Sequence, residues 1–324
     1  MRKFLVIISI FAILLIIGCS KKADIQKNIV SESSTQLVEA AKQGDREKIR
    51  TLIKQGVDVN AQNADYTTAL ISSSKRGFIE IMKDLINAGA DVNLSDDEDG
   101  YTALMAASVG GQLNAVKILL QEGADVNKKC KIDGPAIIMA AEYGHNEIIK
   151  TLLNAGADVN ISAKDGYTAL MAASRHGYTD IVKVLLNAKA NVNANDEKKW
   201  TALEIASYGG YADTVKILLD AGADVNATDE KDFTSLMQAS QLGHIEVVKT
   251  LIAKGADVNI INNEGATALM MAIDKGHLQI VKTLLDSKAD VNITAKNGMN
   301  ALKTAKLHNR KDIEQLLKAA GAKE

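Results

Sequence analysis

Apolar and polar residues recur along the chain with the spacing of short amphipathic helices. In the segment Asp165–Asn193, the stretch from Thr179 to about Asn187 places four aliphatic residues on one helical face: Ile181, Val182, Leu185 and Leu186. An earlier stretch, from Thr168 to about Arg175, is rich in alanine, and Thr168 is placed to cap its first turn. The pattern therefore predicts two short helices per segment, with a chain break at His176-Gly177.

The five-residue motif GADVN follows each predicted helix pair. The motif occurs at Gly89–Asn93, Gly123–Asn127, Gly156–Asn160, Gly222–Asn226 and Gly255–Asn259, with near-copies at Gly56–Asn60, Lys189–Asn193 and Lys288–Asn292. Its third residue falls at positions 58, 91, 125, 158, 191, 224, 257 and 290, in steps of 33 residues with a single step of 34. A period of this length predicts a repeat array, in which each helix pair must stack on its neighbours to bury its apolar faces.

The glycine of the GADVN motif is expected to end the second helix in a left-handed conformation, which glycine adopts without strain. The residues after it then begin a polar turn that projects sideways to the next repeat. Lys189 and Lys288 occupy the glycine position in two repeats. If the conformation is kept there, each lysine costs up to about 1 kcal/mol, so these two repeats are predicted to be locally soft.

The repeat resembles the ankyrin repeat over about residues 35–324. A Thr-Ala-Leu column carries the resemblance, at Thr68, Thr102, Thr168, Thr201 and Thr267, with Thr-Ser-Leu at Thr234. The family's usual Thr-Pro-Leu-His is altered, since alanine, or Ser235 in one repeat, replaces proline, and isoleucine, methionine or Glu204 stands where histidine is common. Pro135 falls on the threonine column, so its repeat is expected to lack the hydroxyl cap. The resemblance implies an all-α solenoid of stacked helix pairs with projecting β-turn fingers.

The repeat register divides the chain, whose length alone would suggest two domains, into a leader, a tether and nine repeats. The predicted segments are a signal peptide at 1–18, a flexible tether at 19–34, an N-terminal capping repeat at 35–62, ankyrin repeats at 63–96, 97–130, 131–163, 164–196, 197–229, 230–262 and 263–295, and a C-terminal capping repeat at 296–324.

The N-terminus predicts a secretory signal. A basic start precedes the apolar run Phe4–Ile17, which at 14 residues is shorter than the roughly 20 that span a membrane. The following Gly18-Cys19 resembles the lipobox of bacterial lipoproteins, a family in which the cysteine becomes the first mature residue and carries the acyl groups. We therefore expect lipidation at Cys19, with an uncleaved signal anchor as the alternative.

By resemblance to sorting in two-membrane bacteria, Ser20 after the cysteine permits export to the outer membrane. Acyl chains contribute about 0.8 kcal/mol per buried CH₂, so attachment through more than one chain is expected to be stable. The polar stretch that follows is typical of a flexible tether. The predicted location is the bacterial cell envelope, at the outer membrane or the periplasmic face, with the protein held by its lipid.

Composition narrows the classes of function. The net charge is −2, and removing residues 1–18 leaves 36 basic against 40 acidic residues, so no concentrated basic face for nucleic acid is expected. The two cysteines, Cys19 and Cys130, form no disulfide framework, zinc spacing or redox pair. Cys130 lies among Lys128, Lys129 and Lys131, so a reactive thiol is the alternative to a structural one.

No nucleophile with a base, pair of carboxylates or metal-ligand cluster has persuasive spacing, so the sequence predicts neither an enzyme nor a bound cofactor or metal. The histidines at one repeat phase, His145, His244 and His277, are interpreted as a structural column. Methionines at repeat spacing, such as Met171 and Met237, are interpreted as core residues.

The resemblance implies that the turn tips and first helices line a concave groove that binds partners. The residue before the threonine column reads Thr67, Tyr101, Gly134, Tyr167, Trp200, Phe233, Ala266 and Met299, four aromatic residues of eight in a chain that is 4% aromatic. A second variable set, before the glycine in the middle of each repeat, adds Tyr143, Arg175, His176, Tyr208, Gln241 and Leu242. We predict that the four aromatic residues and this second set bind protein. The alternative is that the rings pack only against adjacent turns.

The leading hypothesis for function is a lipid-anchored, monomeric, non-catalytic scaffold that binds an unidentified protein in the cell envelope through the aromatic groove. Two alternatives stay open on the sequence: a periplasmic accessory protein that supports an oxidative-stress enzyme, and a surface protein that interacts with a host.

Overall fold

The computed structural model describes residues 32–96, 99–131 and 134–323. Cys19, the signal peptide and most of the tether lie outside the described residues, as does the centre of the acidic turn in Leu94–Gly100. The described part divides into two compact units, the first ending at Val126 and the second beginning at Asn127. None of its helices has the length and apolar character that a membrane crossing requires.

The first unit contains three helix pairs: α1 (residues 32–43), α2 (Arg46–Lys54), α3 (Ala69–Arg76), α4 (Ile79–Asn87), α5 (Ala103–Val109) and α6 (Leu113–Gln121). The second unit contains six: α7 (Ala136–Glu142), α8 (Asn146–Asn154), α9 (Ala169–Arg175), α10 (Thr179–Asn187), α11 (Ala202–Tyr208), α12 (Ala212–Asp220), α13 (Ser235–Leu242), α14 (Ile245–Ala253), α15 (Ala268–Lys275), α16 (Leu278–Asp286), α17 (Ala301–Leu307) and α18 (Lys311–Ala319). No named strand occurs among the described residues, so the fold class is the predicted all-α repeat solenoid of helix pairs.

Within each unit, the first helix of a pair packs on the first helix of the next pair, and the second helix on the next second helix. Small side chains allow the first helices to approach closely, as at Ala172 and Ala173, which are fully buried in α9. The second helices bury one aliphatic face; in α10 this face is Ile181, Val182 and Leu185. The core of each unit is thus shared between neighbouring pairs.

Threonine side chains begin most of the first helices. The Thr168 hydroxyl accepts a hydrogen bond of 3.3 Å from the Met171 backbone N–H at the start of α9. Helix α7 begins after Pro135 and has no side-chain cap. Both observations confirm the predictions from the threonine column.

The first residue of the GADVN motif has the predicted left-handed backbone conformation. Gly156, just past α8, has φ = 88°, and the same left-handed conformation is kept at Lys189 (φ = 69°) and Lys288 (φ = 63°). Glycine reaches this region without steric cost, whereas a residue with a Cβ does not. The condition for the predicted cost is therefore met at both lysines, and the local softness of their repeats stays a prediction.

The asparagine at the end of the GADVN motif has a structural role that the sequence did not predict: it joins neighbouring repeats. The Asn160 side-chain amide donates to the carbonyl of Lys189 at 3.3 Å, and its oxygen accepts from the Asn191 backbone N–H at 2.7 Å. Asn60 makes the same pair of hydrogen bonds, to Gly89 and Asp91, in the first unit. The asparagines therefore tie each repeat to the next within a unit, and this requires the amide side chain at that position.

The projecting turns between repeats, which we call fingers, are also joined in the second unit. The backbone N–H of Glu197 donates to the carbonyl of Asp165 at 2.8 Å. Equivalent bonds join the next fingers: Glu230 to Lys198, Asn263 to Lys231 and Lys296 to Glu264. These bonds fix the fingers that carry the predicted aromatic residues relative to one another.

The predicted tether is too long at its C-terminal end. Residues 32–34 are helical and belong to α1, and Ser34 is buried. A buried position in a helix cannot be part of a freely moving linker. The N-terminal repeat thus begins before residue 35, and the tether prediction is wrong for these residues.

Candidate aromatic cleft of the second unit

An open cleft of about 480 Å³ lies on the second unit between two fingers and the ends of two first helices. Its walls are formed by Tyr167, Arg175, Asp196, Lys198, Trp200, Ile205, Tyr208 and Gly209. The fingers supply Tyr167 and Trp200, and the C-terminal turns of α9 and α11 supply Arg175 and Tyr208. Four of the predicted binding residues thus lie around one cleft.

A carboxylate inside the finger holds Trp200 in place. The Asp196 side chain accepts hydrogen bonds from the backbone N–H groups of Lys198, at 2.9 Å, and Trp200, at 2.8 Å. The Asp196 N–H in turn donates to the Trp200 carbonyl at 3.0 Å. Local hydrogen bonding of this kind is the reason that aspartate is favoured in tight turns. The indole therefore projects from a backbone that is already ordered.

Trp200 and Tyr208 form an aromatic pair at the centre of the cleft. Their ring centroids lie 5.7 Å apart and the ring planes meet at 66°, an edge-to-face arrangement. Trp200 is half-buried, whereas 55% of the Tyr208 surface remains exposed. The pair combines a fixed geometry with a large area of accessible ring surface.

Glu142 contacts three side chains of the next repeat, and two of them, Tyr167 and Arg175, line the cleft. Its carboxylate accepts from the Tyr167 hydroxyl at 3.4 Å and lies 2.8 Å from His176 Nε2 and 3.6 Å from Arg175 Nη1. Burial, followed by the negative charge of Glu142, raises the pKa of the Tyr167 hydroxyl above its ordinary value, against the opposing effect of Arg175. Tyr167 therefore remains a neutral hydrogen-bond donor.

Two cations border the aromatic pair. The Arg175 side chain is 62% exposed and is held only weakly by Glu142, at 3.6 Å, and by the Tyr167 hydroxyl. Lys198 is exposed and makes no side-chain hydrogen bond or ion pair with any described residue. Rings beside accessible guanidinium and ammonium groups are able to hold an apolar side chain and a carboxylate together.

Glu204 is fully buried on α11, close to the cleft but not part of its wall. One carboxylate oxygen accepts from the Thr201 backbone N–H at 2.8 Å and from the Thr201 hydroxyl at 3.0 Å, while the other has no hydrogen-bond partner. Burial, reinforced by Asp229 and Asp196 and opposed by the Thr201 hydrogen bonds, raises the pKa of Glu204 to about 7. In the sequence, the departure of Glu204 from the family pattern was the only signal of this buried carboxylate.

The other predicted binding residues do not line this cleft. Tyr101 is half-buried in the first unit, and Tyr143 stacks on His145 with ring centroids 6.4 Å apart. Phe233 is half-buried in the next finger, where Asp229 accepts its backbone N–H at 3.0 Å. Two more stand at the end of α13, the half-buried Gln241 and the exposed Leu242. His176 contacts Glu142 as described. The cleft walls also include Asp196, Lys198, Ile205 and Gly209, which the sequence analysis missed.

The remaining candidates have structural surroundings. His244 Nε2 donates to the Tyr208 carbonyl at 3.0 Å and His277 Nε2 to the Gln241 carbonyl at 3.1 Å, as a structural column predicts. The Cys130 thiol is buried and donates to the Gly134 carbonyl at 3.2 Å, which favours its structural role. Among the described residues no group of three or more histidine, cysteine, aspartate or glutamate side chains could hold a metal ion.

Comparison with known families agrees with the helix pairs and fingers. The family model described as "Ankyrin repeats (3 copies)" matches residues 37–130, 137–229 and 234–323. A search of curated proteins finds no match. Ankyrin repeats generally serve as non-catalytic scaffolds for protein–protein interaction, and this is the function that the match indicates. The matched segments cover most of the sequence, and the chain therefore belongs to the ankyrin-repeat family.

Proposed function

We propose that this protein is a lipid-anchored scaffold of the bacterial cell envelope that binds a protein partner in the aromatic cleft of the second unit. The observation that carries the proposal is the edge-to-face pair of the half-buried Trp200 and the exposed Tyr208, with Arg175 and Lys198 at its edge. Tryptophan, tyrosine and arginine are the residues that most often dominate the binding energy of protein interfaces.

The order of the cleft before binding supports the same proposal. The Asp196 hydrogen bonds and the backbone bonds between fingers already hold Trp200 in position. A site that is ordered in advance loses little conformational entropy when a partner binds. Tyr208, whose ring is exposed, is free to supply contact area.

The anchoring part of the proposal rests on the sequence. Gly18-Cys19 after a short apolar run is the pattern of a lipoprotein signal, with Cys19 as the acylated residue. A scaffold held in this way would bring its partner to the membrane, where a second attachment raises the effective concentration of the bound protein.

The test is cross-linking and affinity capture of the full chain from intact membranes. Tyr208→Ala and Trp200→Ala are expected to remove a protein that is captured by the wild type, each with a loss of more than about tenfold, because hot-spot truncations cost 2 kcal/mol or more. Tyr66→Ala is the matched control, since Tyr66 is an exposed tyrosine of the first unit.

Circular dichroism separates binding from folding in the same variants. Unchanged helical signal with lost capture supports the proposal. Loss of folding in Trp200→Ala and full capture by Tyr208→Ala would instead assign the rings to packing. Equal capture by the cleft variants and the Tyr66→Ala control would overturn the proposal outright.

A further inference from the structure

A second open cleft, of about 520 Å³, lies on the first unit and has a different chemistry. Lys42 on α1 and Lys75 and Arg76 at the end of α3 supply its positive charges. Polar side chains, among them Asn63, Thr67 and Gln112, form much of the remaining wall. We call this surface the cationic cleft; no aromatic residue lines it.

The three cations are exposed and unpaired. None of them makes an ion pair or a side-chain hydrogen bond with a residue that the structure describes, and Asp65 is the single carboxylate of the lining. Three cations on the second helices of the same unit are paired, by contrast: Arg46 and Arg50 with Asp84, and Lys83 with Glu80. The lining of the cleft therefore carries three cations against one carboxylate.

Close packing of two first helices sets the floor of the cationic cleft. Gly110 follows α5, and a Cβ added there would lie 2.2 Å from the Lys75 carbonyl oxygen. Only glycine permits this approach, which brings Val109 and Gly110 against the end of α3. The backbone that carries Lys75 and Arg76 is therefore held by packing, while their charged ends stay in solvent.

We propose that the cationic cleft binds an acidic, extended segment of a partner protein. Lys42 and Lys75 lie one repeat apart on α1 and α3, which both line the cleft, and neighbouring helices of a repeat array are separated by roughly 10 Å. An extended chain of the polyproline II type advances about 3.1 Å per residue with three residues per turn, so carboxylates three residues apart lie on one face about 9 Å apart and match this spacing. A single inorganic anion reaches one of these positions at a time.

The same features set the strength and the selectivity of the interaction. Val38 is buried and Val109 half-buried, so the cleft exposes no large apolar side chain, and we expect binding to depend on charge and to weaken as salt rises. Single-stranded nucleic acid would need aromatic residues for its bases to stack on, and the cationic cleft has none. This surface and ligand class are independent of the aromatic cleft.

The test uses the full chain in detergent micelles and a fluorescent peptide with glutamate at every third position. Fluorescence anisotropy is expected to show binding that weakens from low to physiological salt and falls by about tenfold in Lys75→Gln/Arg76→Gln, the loss that two charge-assisted contacts predict. Lys42→Gln is expected to weaken binding in the same direction. Lys48→Gln/Lys117→Gln is the control with the same change of charge on exposed residues of second helices.

Equal loss of affinity in the control pair would overturn the proposal, because it would assign binding to net charge. Tighter binding of an oligonucleotide or of inorganic phosphate than of the peptide would also overturn it, by identifying another anion as the ligand. Thermal unfolding of the Lys75→Gln/Arg76→Gln variant checks that folding is kept, which is expected because neither side chain has a partner to lose.

Discussion

Glu204 shows how one residue links burial, hydrogen bonding and pH. It stands where Met171 and Met237 stand in the adjacent repeats, and it is fully buried like them. The Thr201 N–H and hydroxyl satisfy one oxygen, and the other oxygen remains without a partner. Burial disfavours the charged form of the Glu204 carboxyl group, because water no longer solvates it. This raises the pKa of Glu204 to about 7.

The direction in which stability changes with pH follows from the difference between the pKa of Glu204 in the folded and in the unfolded protein. The folded protein holds the Glu204 proton up to pH about 7, whereas the unfolded chain releases it near the ordinary value of 4.5. The contribution of Glu204 to stability is therefore fully present below the unfolded pKa and is lost as pH rises towards the folded pKa. Above pH 7 the charged side chain opposes folding.

We predict that Glu204→Met stabilises the protein at pH 8 by about 1–3 kcal/mol, since each unit of pKa difference corresponds to about 1.4 kcal/mol and the lost Thr201 hydrogen bonds offset part of the gain. At pH 5 the gain is expected to be much smaller. Urea unfolding at the two pH values measures both. The exposed finger variant Glu197→Gln should change neither value, and a Glu204→Met variant that is destabilised equally at both would refute the assignment.

At the scale of the element, an ion cluster joins two second helices of the first unit. Arg46 on α2 donates to Asp84 on α4 from two nitrogens, at 2.6 and 3.2 Å, and Arg50 adds a bond of 3.0 Å. The Asp84 side chain is only 17% exposed, so its loss leaves two guanidinium groups without their acceptor. Hydrogen bonds to charged groups stabilise more than neutral ones.

Asp84→Asn is therefore predicted to lower the unfolding free energy of the first unit by about 1–3 kcal/mol at pH 7. The Arg46 hydrogen bond, more than any other contact, lowers the pKa of Asp84 below its ordinary value of 3.8. The stabilisation is thus present above pH 3.8 and is lost as pH falls through the lowered pKa, so the variant and the wild type should converge in strong acid.

Hydrogen exchange of the α2 and α4 amides follows this change within the first unit. Glu80→Gln is the matched control, because Glu80 pairs with Arg46 and Lys83 but is 55% exposed, and exposed ion pairs contribute little. An equal effect of the two substitutions would mean that Asp84 is no more than a surface charge.

Helices and their ends were predictable from the sequence where aliphatic spacing or a capping residue determines them. The aliphatic spacing predicted α10 from Thr179 to about Asn187, which is where it lies, and Pro135 predicted the missing cap of α7. Bonds between repeats were not predictable, because the Asn160 bridge and the finger-to-finger bonds depend on how stacked repeats align in space. For the same reason the sequence grouped Phe233 with Trp200, whereas the cleft joins Trp200 to Tyr208.

At the scale of the whole molecule, the two clefts and the proposed lipidation site belong to different parts of one chain. The aromatic cleft lies in the second unit, the cationic cleft in the first, and Cys19 stands before both. An array of repeats suits this division, because each repeat contacts only its neighbours and its surface residues vary independently of the shared core. In the proposed function, membrane attachment depends on Cys19, which precedes the residues of both clefts in the sequence.

Membrane attachment is predicted to require acylation of Cys19. One acyl chain gives marginal membrane affinity and a second makes it stable, so a modified Cys19 should hold the protein in the lipid fraction after a salt wash. Mass spectrometry of the N-terminal peptide is expected to find a chain that begins at residue 19 and carries acyl mass. Cys19→Ser should lose that mass, while Cys130→Ser, which changes the buried cysteine, should retain it. An unmodified chain that begins at Met1 in the membrane would instead establish the signal anchor, because its apolar run would then be the attachment.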